Sequence, residues 1–219
     1  MELFEAIKER RSIRAFQNLH VARQDVLDIL EAARWAPSGS NLQPWEFWVF
    51  AGKKRQRLTD RLLEAYYGSG ISYEPGRGGT VTSKYAERTA SLLTGMTQSL
   101  AQAHIRDTEW IMKGSLKFYG APVVILVLLD RQLKGQEFNA GIALQNLLLA
   151  THDKGLGACP IGIALMFEPI IRDTLKIPET YSILTTVAIG HPDKNSPLNS
   201  FKSPRVPIEE ITFIEGLDT

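Results

Sequence analysis

Three guanidinium groups and a hydroxyl crowd into five positions near the start of the chain: Arg10, Arg11, Ser12 and Arg14 of RRSIR. Forked donors at this spacing suit a phosphate or a carboxyl-like ring oxygen. The same cluster also suits a solvated helix end, where positive charge complements the helix dipole. A second stretch, APSGSNLQPW at 36–45, puts Ser38, Gly39, Ser40 and Asn41 between Pro37 and the run Gln43, Pro44, Trp45. Read locally, it is a helix stop and a polar turn before a strand. A third, GLGACPIG at 155–162, begins like a dinucleotide fingerprint but has Pro160 where the third glycine belongs, and it follows a long helix instead of a first strand. The Rossmann reading therefore fails. Small residues around Pro160, Ile161 and Gly162 would let backbone approach a flat ligand closely, or would make a helix cap and a tight turn.

Other chemistries find less support. Ser12 and Ser38 lack a G-x-S-x-G setting, and GRGGT at 76–80 lacks the lysine of a phosphate-binding P-loop. Cys159 has no histidine near it in sequence, so a small buried thiol is the better reading. Gln145 and Asn146 lie on an apolar helix, where a buried amide must find partners in a ligand or in backbone.

These residues need elements to hold them. Leu3, Phe4 and Ile7 share one face of a first helix that ends near the arginines, and Val26, Ile29, Leu30 and Ala33 repeat at helical spacing in a second. WEFWVFAG at 45–52 reads as a buried strand, followed by a charged helix at about 53–67. The glycine-rich stretch at 68–83 reads as a loop of functional length. Residues 84–113 turn helical, and APVVILVLLD at 121–130 reads as a strand covered on both sides. EFNAGIALQNLLLATHDKG is apolar nearly all round, which predicts a buried central helix stopped by Gly155. A helix near 169–175 and a strand at 181–190 follow. The tail from 195 to 219 carries three prolines and ends on the alternating EITFIE, a strand in need of a partner such as a second copy of the chain. The order is α+β, with helices packed on a central sheet, in one domain spanning 1–219. Within it, an insertion covers about 68–113 and an arm about 195–219.

Composition narrows the classes. With 219 residues, 44% hydrophobic and 22% charged, the chain has enough apolar material for one sizeable core. Lysine plus arginine total 25 against 24 aspartate plus glutamate, so no global field draws the protein to nucleic acid or an anionic membrane. Any anion site must be local. One cysteine and four scattered histidines argue against an internal disulfide and a zinc site, and no apolar run is long enough to span a bilayer. A cytoplasmic protein is expected.

Taken together, RRSIRAF, APSGSNLQPW about 25 residues later, GLGACPIG after the apolar helix, AIGHPD at 188–193 and RVPIEEI at 205–211 resemble the nitroreductase family of flavin enzymes. The match runs over nearly the whole chain in the right order. It implies an α+β fold with a mainly antiparallel central sheet flanked by helices. It also implies an intertwined homodimer with exchanged C-terminal arms and two FMN sites at the interface. Carried over residue by residue, Arg10, Ser12 and Arg14, with Arg11 contributing, would bind the FMN phosphate, ribityl chain and pyrimidine edge. Arg205 would be a second phosphate ligand. Pro37, Ser38, Gly39, Ser40 and Asn41 would reach the FMN held mainly by the other subunit, and Gln145 joins the candidate cofactor-binding residues. Pro160, Ile161 and Gly162 would lie against one face of the ring, with a backbone N–H at N5.

The sequence departs from the family pattern in two places. Gly162 and Ile163 stand where many relatives have glutamate and glycine, and Gly114, Ser115 and Lys117 occupy a region where others carry asparagine and lysine. The insertion looks most like the branch of the nitrobenzoate reductases. The implied chemistry is ping-pong transfer of two electrons from NADH or NADPH, through FMN N5, to a nitroaromatic or quinone. No metal and no indispensable side-chain acid or nucleophile is expected. Tyr66, Tyr67, Tyr73, Tyr85, Trp110, Met112 and Phe167 are candidates to sandwich a planar substrate, or core residues. Reductive dehalogenation, flavin cleavage and a non-catalytic phosphate- or flavin-binding dimer are the alternatives.

Overall fold

The computed structural model describes residues 2–71, 83–107 and 109–217. The glycine-rich loop reading falls largely outside these residues, as does Tyr73.

Strand β2 (Val123–Asp130) is the spine of the fold. Its β-branched and leucine-rich sequence alternates between two cores, and all of it but Asp130 is buried. Val124, Leu126 and Leu128 face helices α3 (Gly52–Ser69), α5 (Trp110–Leu116) and α7 (Glu168–Leu175). Val123, Ile125, Val127 and Leu129 face α2 (Arg23–Arg34) and α6 (Glu137–Asp153). A strand covered on both sides has no polar face, which is why its sequence reads as one apolar run. With β1 (Trp45–Ala51), β3 (Gly157–Ile161) and β4 (Tyr181–Gly190) it makes a four-stranded sheet in the order β1-β2-β4-β3, every pair antiparallel. The α+β reading with an antiparallel sheet and flanking helices holds.

Several expectations need correction. The strand at 45–51 lies at a sheet edge and buries only Trp45 fully, with Val49 exposed. The helical stretch at 84–113 is two helices, α4 (Ser83–Gln102) and α5, broken where His104 takes φ 56°. GLGACPIG is neither a cap nor a turn throughout: Gly155, at φ 71°, closes α6, and residues 157–161 then form β3. Pro160 hid this strand, because proline lowers strand propensity. The tail forms no strand among the described residues. It makes short 3-10 turns at Pro197–Asn199 and Ile208–Glu210 and leaves Ile211, Phe213, Ile214 and Leu217 exposed. Helix α6 is covered by α2 and the sheet but not all round, and Phe138 is 78% exposed. No helix of the described residues is long and apolar enough to cross a membrane.

After helix α1 (Leu3–Glu9), the segment 10–16 runs beside β3 as a short extra rung, with Ser12 bridging Ala158 in parallel. The contact needs Gly157. A Cβ there would stand 2.7–2.9 Å from the side-chain carbons of Ile13, which is itself buried. Gly157→Ala is therefore expected to lower stability in urea titrations by about 1–3 kcal/mol through overpacking. Gly68→Ala, in a helix where the added carbon meets nothing within 4 Å, should be neutral or slightly stabilising.

Candidate functional site

The RRSIR segment is held rung by rung. Ile13 N–H donates to the Ala158 carbonyl at 2.9 Å, Gln17 N–H to His191 O at 2.9 Å, and Asp193 N–H to Ala15 O at 3.0 Å. AIGHPD thus serves as the second rail of this rung. Gly190 in it has no room for a Cβ, which would fall 2.6 Å from Pro122 and 2.9 Å from the Phe16 ring. The centre of the clamp is Asn199, 4% exposed. Its Oδ1 accepts from the N–H of Arg14 at 2.8 Å and of Ala15 at 3.1 Å, and its Nδ2 donates to Ala15 O at 2.7 Å and Asp193 O at 2.9 Å. A fully used buried amide fixes backbone firmly, because each group left unpaired costs about 1–3 kcal/mol.

Positive charge collects at one end of this rung. Arg10 has its pKa lowered by burial first and then by the charge of Arg205 on the arm. The Nε atoms of Arg10 and Arg11 are buried with no hydrogen-bond partner. His152, in the last turn of α6, is held below the usual imidazole range by burial and by both arginines. Arg10, Arg11 and His152 border a cleft of about 450 Å³. Arg10 and Arg11, each with a buried Nε that lacks a hydrogen-bond partner, have the chemistry to take an anion such as phosphate.

Further along the rung, Ser12 and Arg14 adjoin Cys159, 1% exposed, whose thiol is pushed up by burial against the pull of Arg14. Tyr119 closes this side, its hydroxyl 3.1 Å from Ser115 Oγ. Burial raises the Tyr119 pKa and Arg14 pulls it down, which puts the guanidinium beside the phenol. Gly114 makes room, because a Cβ would stand 2.6 Å from the Tyr119 ring. Beyond lies a bare strip: Ile161 is buried, Gly162 is exposed, and a Cβ on Gly162 would meet nothing within 4 Å. A planar ring could rest there on backbone.

The polar loop is elsewhere. Ala36, Pro44 and Trp45 anchor its two feet in buried positions while 39–43 stay exposed. Ser38 Oγ accepts the Gln43 N–H at 2.9 Å, and Gly39 N–H reaches Asn139 Oδ1 at 3.3 Å, at the start of α6. Ser40, Asn41 and Gln43 all take positive φ, at 51°, 56° and 48°. Such residues cost of order 1 kcal/mol or more and concentrate at functional sites. The arginines lie at the other end of α6, whose 17 residues span roughly 25 Å. One chain therefore brings Arg10, Arg11, Ser12, Arg14 and Arg205 together with Pro160, Ile161 and Gly162, but not with Pro37–Asn41. Gln145 lies between the two ends on the uncovered side of α6, exposed instead of buried, whereas Asn146 donates to Ala32 O at 3.3 Å.

The aromatic candidates divide. Tyr66, Met112 and Phe167 are core residues. Tyr66 donates to the Glu109 carboxylate, and that bond and burial push its pKa to about 12. Tyr67 and Tyr85 are exposed, and Trp110 packs on Tyr119 with ring centroids 5.3 Å apart. Sequence reasoning missed Asn199 and Tyr119. Neither has a spacing signal, since both act through contacts that join distant segments.

Comparison with known proteins places the sequence and its fold among known relatives. The model of the nitroreductase family matches residues 7–191. A 4-nitrobenzoate reductase of Nocardioides sp. (strain LMS-CY) is 33% identical, over 98% of this chain and 91% of its own. A chloronitrobenzene nitroreductase of Comamonas testosteroni is 31% identical, over 94% and 93%. The crystal structure of the FMN- and NADPH-dependent nitroreductase NfnB from Sphigopyxis sp. strain HMH superposes with a TM-score of 0.90 at 28% identity, covering 99% of this chain and all of that one.

Burial and a raised pKa leave Cys159 little thiolate near neutral pH. The folded protein is therefore expected to resist iodoacetamide at pH 7.5 and to take up one equivalent only after unfolding. Rapid alkylation of the native chain, followed by mass spectrometry, would contradict this account of the thiol.

Proposed function

Because the chain belongs to the nitroreductase family, we propose that it is an FMN-dependent oxidoreductase passing two electrons from NADPH or NADH to a nitroaromatic or quinone. The observation that carries this is the convergence of Arg10, Arg11 and Arg205 at one end of a rung whose other end opens onto the backbone strip at Ile161 and Gly162. Those residues fit the group: a dianionic phosphate would satisfy the buried arginine nitrogens, and a flat ring would cover the strip. Relatives that reduce nitrobenzoate and chloronitrobenzene suggest the substrate class, and a structural neighbour dependent on FMN and NADPH suggests that pairing.

The chemistry that FMN would supply here is two-electron redox transfer between a nicotinamide and an acceptor. Around it, Arg10, Arg11 and Arg205 would hold the phosphate and Ser12 the ribityl chain. Arg14 would lie at the pyrimidine edge, where its positive charge offsets the negative charge that builds on reduction. Pro160, Ile161 and Gly162 would cover one ring face and keep water from it.

The site is completed by a second copy. Leu3, Phe4, Trp35 and Phe138 are large apolar side chains that stand 68–78% exposed, available to be covered by a second copy. Two α6 helices packed antiparallel along their uncovered sides would bring Ser38–Asn41 and Gln145 of one copy to the arginine end of the other. The exposed tail, with Ile211 and Phe213, would wrap the partner as an exchanged arm.

Purified protein is expected to be yellow and to bleach anaerobically with NADPH or NADH, with colour returning on addition of 4-nitrobenzoate or a quinone. A colourless preparation that cannot be reconstituted with FMN would sink the proposal. Arg14→Ala is expected to weaken FMN binding at least about tenfold, the range for one charge-assisted contact. Unchanged flavin content after dialysis would remove Arg14 from the site.

A further inference from the structure

We infer that Asn199 is a positioning residue for the flavin site: its amide sets where Arg14 stands and where the arm bearing Arg205 departs, and so joins the ring end of the site to the phosphate end. This rests on the FMN reading above. Asn199 spends all four side-chain contacts on this junction, two accepted from Arg14 and Ala15 and two donated to Ala15 and Asp193. It ends the 3-10 turn Pro197–Asn199, after which the chain runs six residues to Arg205.

The neighbours on either side tie the same turn to the rest of the site. Leu198 shares a recess with Arg14 and Trp110. Phe201 fills a notch in α4 that exists because residue 95 is glycine, and Lys202 pairs with Glu9 at the end of α1. The backbone N–H of Arg14, 2.8 Å from Asn199 Oδ1, is thus fixed by an amide that cannot turn without stranding buried groups. Arg14 and Tyr119 also line one recess together. A guanidinium whose backbone is fixed and whose side chain runs in a shared recess presents its charge over a narrow range of positions, which is what raises the reduction potential of a ring resting beside it.

The test measures the two-electron midpoint potential and the FMN dissociation constant of the purified holoenzyme, Asn199→Ala, Arg14→Ala and the double variant. Asn199→Ala is expected to weaken FMN binding about tenfold and to shift the potential negative, by about 30 mV for each tenfold loss of preference for reduced over oxidised flavin. In the Arg14→Ala background the Asn199 substitution should shift the potential no further, because it acts through Arg14. A residue that serves stability alone would lower the melting temperature and leave the potential unmoved, and that result overturns the inference. So does an equal shift with and without Arg14. Should Asn199→Ala not fold, Asn199→Ser takes its place, and failure of both to fold assigns Asn199 to stability alone and also overturns the inference. A wild-type protein that takes up no FMN defeats the functional reading itself, whereas flavin-loaded wild type with an unshifted variant defeats only the role of Asn199.

Discussion

The fold depends on one contact between backbones: the lodging of residues 12–16 against the edge strand β3. Sheet order leaves β3 with β4 on one side only, and the extended segment after α1 takes the other. Steric allowance makes it possible. Gly157 admits Ile13, Gly190 admits Phe16 and Pro122, and Gly114 admits Tyr119. Each of these three glycines is there for close approach, so of the glycines that mimic a dinucleotide fingerprint Gly157 has a packing cause and Gly155 a conformational one, the positive φ that closes α6. Once the segment is lodged, alternation along it buries Ile13 and leaves Ser12 and Arg14 half-buried beside Cys159 and Tyr119.

Electrostatics follow from that lodging. The chain is nearly neutral as a whole, with a formal charge of +1, yet Arg10, Arg11 and Arg205 share a small region at the C-terminal end of α6. Burial of a guanidinium beside another cation is unfavourable, as the lowered pKa of Arg10 records. Such an arrangement is tolerated when an anion supplies the missing charge and hydrogen bonds. Helix dipole effects alone account for basic residues near that end, but not for two buried Nε atoms without partners.

Much of this was legible in the sequence, and the lapses have physical causes. The apolar run of β2, the helical periods of α2 and α3 and the glycine stop of α6 are local signals, and each element formed where its pattern indicated. RRSIR and the segment ending in Gly162 stood out as candidate ligand residues because cations and bare backbone are chemically conspicuous. β3 was hidden by Pro160, whose missing N–H argues against a strand in sequence but costs nothing where the neighbouring rung is short. The break at His104 and the clamp of Asn199 were hidden because both are set by contacts between segments far apart in the chain. Gln145, expected inside, lies exposed on a face that a single chain leaves open and that the proposed assembly of two copies would cover.

That assembly is the centre of the account. A strained polar loop sits at one end of α6 and the cation seat at the other, roughly 25 Å apart by helix length. Two copies related by a two-fold axis would unite them, and the exposed arm would lock the pair. The most direct measurement is FMN affinity against assembly state, by equilibrium flavin fluorescence and sedimentation on the wild type and on a charged substitution such as Phe138→Glu that breaks the uncovered face of α6. The account expects a dimer holding one FMN per chain and a folded monomer whose flavin affinity has collapsed. A folded monomer that binds FMN as tightly as the dimer would contradict it.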